Sequence, residues 1–204
     1  MSNPSYKLTY FNFRALAETT RFIFAYVKVP YEDVRIPMEQ WPGIKRETPF
    51  RQLPVLEIDG TVYGQSAAFN RLLAKRFNLA GTTEDEQAHV DAIYDYGKDI
   101  WAANMKYWVE KDPVKKAQIQ EEYLANELED HLEVLQAHLT SYGKGKYFAP
   151  SGVTFADFWI ANLLYSIEER LPTALDQHPV LKEYVQRIHN LPGIREWVAT
   201  RPQI

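Results

Sequence analysis

The chain has 204 residues, 46% hydrophobic and 25% charged, with a formal net charge of −4; this suits one large or two small packed domains and speaks against disorder. No basic stripe marks a nucleic-acid partner, no apolar run is long enough to span a membrane and no signal peptide opens the chain, so a soluble, cytoplasmic protein is expected. The absence of cysteine excludes disulfide scaffolds, thiolate metal clusters and a protein thiol as nucleophile.

In chain order, "YKLTYF" places Tyr6, Leu8 and Tyr10 on one face, the alternation of a strand. Leu16, Thr20, Ile23 and Val27 then recur at helical spacing. "YEDVRI" reads as a second strand, and "MEQWPGIKRET" as a short helical or irregular segment interrupted by proline. "PVLEIDGTVY" is a hairpin, because Asp59-Gly60 is the dipeptide a type I′ turn prefers. "QSAAFNRLLAKRF" closes this first unit as a helix. The order predicts a mixed sheet with helices on its faces, an α/β domain over residues 1–79.

After "AGTT" the pattern is helical to the end, a second, all-α domain over residues 84–204. Thr82 or Thr83 caps a long amphipathic helix marked by Val90, Ile93, Gly97, Ile100, Trp101 and Trp108. A second long helix follows Pro113 and runs to the loop "SYGKGKYFAPSG". In "VTFADFWIANLLYSIEERLP" Thr154 and Asp157 have capping-box spacing, and apolar residues on nearly every side place that helix inside a bundle. Short helices beginning near Pro179 and Pro192 finish the chain.

The first domain carries the chemistry. Pro54 forces Leu53 extended at a strand start and leaves its backbone groups open to an added peptide strand, although a plain strand-initiating proline reads the same way. Gln65-Ser66 stands at a helix entrance whose amides and dipole attract a carboxylate, or where Ser66 simply caps. Trp41 and Lys45, four apart, offer an indole N–H and an ammonium to a second carboxylate, or are an ordinary surface pair. Together these features describe a site for a short extended peptide with a carboxylate at each end.

The stretches "YKLTYFN…RALAE", "W…K", "PF.QLPVLEIDG", "QS" and "TFADF" resemble the cytosolic glutathione transferases, most closely the sigma class and, through "ALAE", its insect-type branch. The resemblance covers essentially the whole chain. It implies a thioredoxin-like N-terminal domain, a cis Leu53–Pro54 bond, an all-α C-terminal domain and a homodimer with glutathione as co-substrate. Tyr10 stands where the family's catalytic tyrosine does. Leu16, Trp41, Lys45, Gln52, Leu53, Gln65 and Ser66 stand where the family contacts glutathione, and Asp99 where an aspartate reaches across the dimer to its amino group. Arg71 resembles an interface arginine that meets carboxylates of the partner. Two positions depart from the pattern. Lys98 replaces an acidic residue that helps hold a divalent metal in vertebrate prostaglandin D synthases of this class, so no metal is expected. Arg51 stands where glycine is common.

The magnitudes suit a single tyrosine. A cysteine-type thiol has a pKa of about 8.5, and lowering it by roughly two units requires about 2.7 kcal/mol of differential stabilisation. One hydrogen bond to a charged acceptor contributes about 1.5–3 kcal/mol. A neutral phenol at Tyr10 can donate that bond. Phe11, Phe13, Trp101, Met105 and Tyr107, with Trp108 beside them, are candidates for an apolar electrophile wall, although such residues at helical spacing are more often core. The leading expectation is conjugation of glutathione to small apolar electrophiles such as xenobiotics and lipid peroxidation products, a detoxification role. The alternatives are a non-catalytic ligand carrier or crystallin-like structural protein, or a glutathione-dependent prostaglandin D isomerase.

Overall fold

A computed structural model of the chain describes residues 4–202. The fold divides into two compact units, one of residues up to Leu79 joined by those from Ile188 onward, the other of Ala80–Arg187.

The first unit is built on four strands: β1 (Tyr6–Phe11), β2 (Glu32–Ile36), β3 (Val55–Ile58) and β4 (Thr61–Tyr63), in the spatial order β2-β1-β3-β4. β1 and β2 run parallel and the other neighbours antiparallel. In β1 the expected alternation holds: Tyr6, Leu8 and Tyr10 are buried, and Lys7, Thr9 and Phe11 are half-buried. Asp59 and Gly60 both have positive φ, 49° and 83°, as a type I′ turn requires; glycine accepts this without the Cβ clash that disfavours other residues. Around the sheet lie α1 (Glu18–Val27), entered through a 3-10 turn at Ala15–Ala17, α2 (Trp41–Ile44) between two further 3-10 turns, and α3 (Ser66–Arg76). A buried hydrogen bond from Thr20 Oγ1 to Asn70 Oδ1, 2.7 Å, joins α1 to α3. The unit also includes α9 (Ile194–Thr200) from the end of the chain.

The second unit holds α4 (Glu84–Trp108), α5 (Pro113–Asn126), α6 (Leu128–Ser141), α7 (Phe155–Arg170) and most of α8 (Pro179–His189). The long helix expected after Pro113 is two helices, broken at Glu127 (φ −125°, ψ −40°). The reason is a slip of phase: α5 buries Tyr123, whereas α6 buries Leu128, Leu132, Leu135 and Leu139. A gap of five from Tyr123 to Leu128 turns the second stripe out of line with the first. α7 is buried on all sides from Phe155 to Leu164, as expected of a helix inside a bundle. It approaches α4 at Gly97, where an added Cβ would lie 2.5 Å from both Ile160 Cδ1 and Trp159 Nε1.

Thr83 caps α4, accepting from the Glu86 amide at 3.1 Å. Glu86 in return accepts from the Thr82 amide and hydroxyl at 2.6 and 2.7 Å, and from the Ser151 amide at 2.9 Å. Burial opposes its charge, but these donors prevail and hold its pKa down to about 2. A carboxylate with a depressed pKa stabilises the fold above its unfolded value near 4.3, and the contribution is lost as pH falls towards 2. Glu86→Gln is expected to cost about 2 kcal/mol at pH 7 and much less at pH 2. Denaturant unfolding of both forms across that range measures the difference.

Candidate active site at one end of the sheet

Strand directions decide which residues meet. β1, β2 and β4 end, and β3 begins, at the same edge of the sheet. Tyr10 and Phe11 therefore share that edge with the α2 segment after β2, with Leu53–Pro54 ahead of β3, and with Gln65–Ser66 after β4. The first-unit residues singled out for glutathione lie in the segments that follow β2, precede β3 and follow β4, or in the turn after β1.

Tyr10 pairs with Arg35 across the parallel ladder and is 4% exposed. Its ring lies 5.4 Å from Phe11 and, edge to face, 5.3 Å from Phe13. Phe11 and Phe13 stack at 5.4 Å, and Trp41 meets Phe11 edge-on at 5.8 Å. Burial pushes the Tyr10 pKa up to about 12, against a backbone hydrogen bond from Leu16 and the charge of Arg21, which pull it down. The phenol thus keeps its proton throughout the physiological range. Its proton is available for donation beside the Phe11 and Phe13 rings, an apolar setting in which hydrogen bonds are electrostatically stronger than in water.

Leu16 lies half-buried in the 3-10 turn after β1. Leu53 and Pro54 are joined by a cis peptide bond. Leu53 precedes the paired part of β3, and among the described residues its backbone makes no hydrogen bond. Gln52 is exposed and its side-chain carbonyl accepts from Gln65 Nε2 at 2.8 Å. Gln65 itself has φ 63° and ψ 96°, a backbone conformation costly for a residue with a Cβ and the kind of strain that clusters at functional sites. Of the two readings of Ser66, capping does not occur: Gln65 occupies the cap position, and Ser66, buried, is the first helical residue. The Lys45 ammonium is exposed, and no described carboxylate pairs with it. Arg51 has φ 51°, which explains why glycine would suit its position.

In the second unit, Asp99 is exposed on α4, in a column with Asp91 and Asp95. Trp101 and Met105 are half-buried. Tyr107 does not fit its expected place on an electrophile wall. It is 2% exposed, and its hydroxyl donates to Asn104 Oδ1 at 3.0 Å within the unit's own core. A spacing of two from Met105 turned it to the opposite helix face. Lys98 is half-buried, and among the described residues no group of three or more acidic or histidine side chains is arranged to hold a metal ion.

Sequence reasoning missed a polar cluster beside the turn after β1, in which Glu18 and Arg21 of α1 and Arg201 are buried and Asp33, Arg35 and Trp197 half-buried. A signal was present. Glu18 and Arg21 lie three apart beside Thr20 and Ile23, charges flanking a helix stripe assigned to the core.

A mixed four-stranded sheet with a cis-proline before its third strand, followed by a helical unit, defines a thioredoxin-like domain with an all-α partner, the glutathione transferase fold. The models of the glutathione S-transferase N-terminal and C-terminal domains match residues 6–75 and 98–201. The chain belongs to the glutathione S-transferase family and is an enzyme of that kind. It is 40% identical to glutathione S-transferase 1 of Ascaris suum over 98% of both chains. It is 39% identical to the human hematopoietic prostaglandin D synthase, again over 98% of both. A glutathione S-transferase of the hookworm Necator americanus, described as monomeric, superposes with a TM-score of 0.89 at 33% identity over 98% of each chain.

Proposed function

We propose that this enzyme holds glutathione along the open edge of the sheet and stabilises its thiolate with the Tyr10 hydroxyl, for attack on small apolar electrophiles. The observation that carries this reading is a buried tyrosine whose pKa near 12 keeps it a donor, at the edge where the unpaired Leu53 backbone, the Lys45 ammonium and the start of α3 are presented. Leu53 would pair the tripeptide backbone as an added strand, and Gln65 and Ser66 would receive one carboxylate. Trp41, Lys45 and Gln52 would flank the other end, and Leu16 would sit beside the sulfur. Phe11 and Phe13 supply an apolar wall next to Tyr10. The family resemblance assigns Asp99 to the glutathione amino group and suggests the sigma class, its insect-type branch and a detoxification role; Trp101 and Met105, half-buried on α4, are candidates for the apolar wall, and a cytoplasmic setting belongs to the same reading. Retention on immobilised glutathione together with conjugation of a chloro-nitrobenzene tests the reading; binding without conjugation would overturn it.

Prostaglandin D isomerisation is a second reading, supported by the 39% identity to the human synthase of that name. It uses the same thiolate. An assay with a prostaglandin endoperoxide and glutathione, read by product analysis, separates it from simple conjugation.

We further propose that two copies associate through the outer face of the first unit. Phe50 is 59% exposed, with its ring over Gly64, and Val62 and Tyr63 of the edge strand β4 are also exposed. Large apolar side chains beside an open strand edge favour burial against a partner. Phe50→Glu is expected to convert a dimer to a monomer by sedimentation; a wild-type chain that sediments as a monomer at micromolar concentration would refute the association.

A further inference from the structure

The turn between β1 and α1 carries Phe13, which meets the Tyr10 ring edge to face, and Leu16, whose amide donates to the Tyr10 oxygen. Its placement therefore fixes where the hydroxyl points. Two arginines hold that turn. Arg21 Nη1 donates to the Phe13 carbonyl at 2.9 Å, and Arg35 Nη1 donates to Asn12 Oδ1 at 3.1 Å. Asp33 of β2 binds both, accepting from Arg21 Nε at 3.2 Å and from Arg35 Nε at 2.9 Å.

Arg21 is anchored from its other side as well. Its Nη1 donates to Glu18 Oε2 at 3.1 Å, and both side chains are fully buried. The second oxygen of Glu18 accepts from Trp197 Nε1 at 2.8 Å and from Arg201 Nη1 at 2.9 Å, so a carboxylate in α1 is tied to α9. The Arg35 guanidinium lies 5.8 Å from the centre of the Trp197 ring. Buried ion pairs seldom add stability over apolar packing of the same volume, because desolvation offsets their attraction. What such a network supplies is a single allowed geometry, since each charge needs its partners in place.

We propose that Glu18, Arg21 and Trp197 are positioning residues for Tyr10: through the Phe13 carbonyl they lock the turn after β1 against α9, and so fix the aim of the tyrosine hydroxyl at the sulfur. The proposal rests on Tyr10 being the thiolate's donor. Hydrogen bonds to charged acceptors fall off steeply with misalignment, so loosening this turn weakens thiolate stabilisation before it disturbs tripeptide binding. The C-terminal helix is thereby a functional part of the first unit, at a distance in sequence of 179 residues between Glu18 and Trp197.

Trp197→Phe removes the indole N–H while keeping an aromatic ring. Arg21→Gln removes the charge, and Arg21→Lys keeps the charge without the fork. The readout is the pKa of bound glutathione, followed by the ultraviolet absorbance of its thiolate in the full-length protein, with the pH profile of kcat/KM alongside. Trp197→Phe is expected to raise that pKa by about half a unit and Arg21→Gln by about one, with Arg21→Lys between wild type and Arg21→Gln and KM for glutathione within about twofold. An unchanged pKa in folded Trp197→Phe overturns the proposal, and this variant decides alone if Arg21→Gln fails to fold. Tyr10→Phe runs in parallel. If it shifts the pKa and the network variants do not, positioning fails while the tyrosine reading stands; if it too leaves the pKa unchanged, the tyrosine reading fails and the positioning role with it.

Discussion

Replacing Tyr10 with phenylalanine should lower kcat about 10- to 100-fold while KM for glutathione stays within about twofold, the effect of losing one charge-assisted hydrogen bond of about 1.5–3 kcal/mol. The ring stays, so its packing against Phe11 and Phe13 is retained and the fold should not change. What disappears is the donor. The bound thiol pKa then moves back towards its ordinary value near 8.5, and the acid limb of the kcat/KM profile moves up with it by about one to two units. The direction follows from the state of the phenol: with its own pKa pushed up to about 12, Tyr10 is protonated wherever the enzyme works. In the proposed mechanism it is therefore the donor to the thiolate and not the base that takes the thiol proton. Steady-state kinetics from pH 5.5 to about 9 check both parts; an unchanged acid limb would show that something other than this hydroxyl stabilises the sulfur.

The largest stability effect is expected at Asp157 of the second unit. Its carboxylate is fully buried and accepts four hydrogen bonds: the Phe148 amide at 2.9 Å, the Thr154 amide and hydroxyl at 2.7 and 2.8 Å, and the Tyr184 hydroxyl at 3.1 Å. It thereby caps α7 and pins the preceding loop. Asp157→Ala leaves these donors without an acceptor, each buried unpaired group costing about 1–3 kcal/mol, for a total near 4 kcal/mol or more. In a chain of this size that corresponds to a fall in Tm of about 10 °C or more.

The pH dependence has the opposite sign to that of Glu86. Burial outweighs the four donors and pushes the Asp157 pKa up to about 6. The folded state then holds the proton more tightly than the unfolded chain, so the contribution is greatest below about 4 and is lost as pH rises through about 6. A proton on the carboxyl is accommodated because the Tyr184 hydroxyl can donate instead to the Asp157 backbone carbonyl, also 3.1 Å away. Asp157→Asn should remove the pH dependence between 4 and 6 and cost less than Asp157→Ala, because its amide oxygen still accepts. Urea unfolding at pH 4, 6 and 7.5 distinguishes the three proteins.

Much of this was legible in the chain itself because it depends on short spacings. The alternation in β1, the Asp59-Gly60 turn, the capping pair Thr154 and Asp157, and the proline-marked starts of α5 and α8 are set by neighbours within a few residues. The residues proposed for the site in the first unit were singled out by motif position: each sits next to a strand or helix end, and the family motifs run in chain order. Tyr107 was misplaced because aromatic spacing does not distinguish a core face from an open one. The break at Glu127 was missed because an amphipathic pattern can change phase by one residue without a proline or glycine to mark it.

By itself the sequence determined a cysteine-free chain with an α/β unit, a helical unit and a tyrosine at the end of its first strand, since composition and local periodicity carry that information. Only the tertiary structure decided that strand directions bring Tyr10, Leu53 and Gln65 to one edge of the sheet, and that Glu18 meets Trp197 and Arg201. The physical reason is that strand pairing and the burial of charge depend on partners far apart in the chain, and no local pattern records which distant donor a buried carboxylate will find.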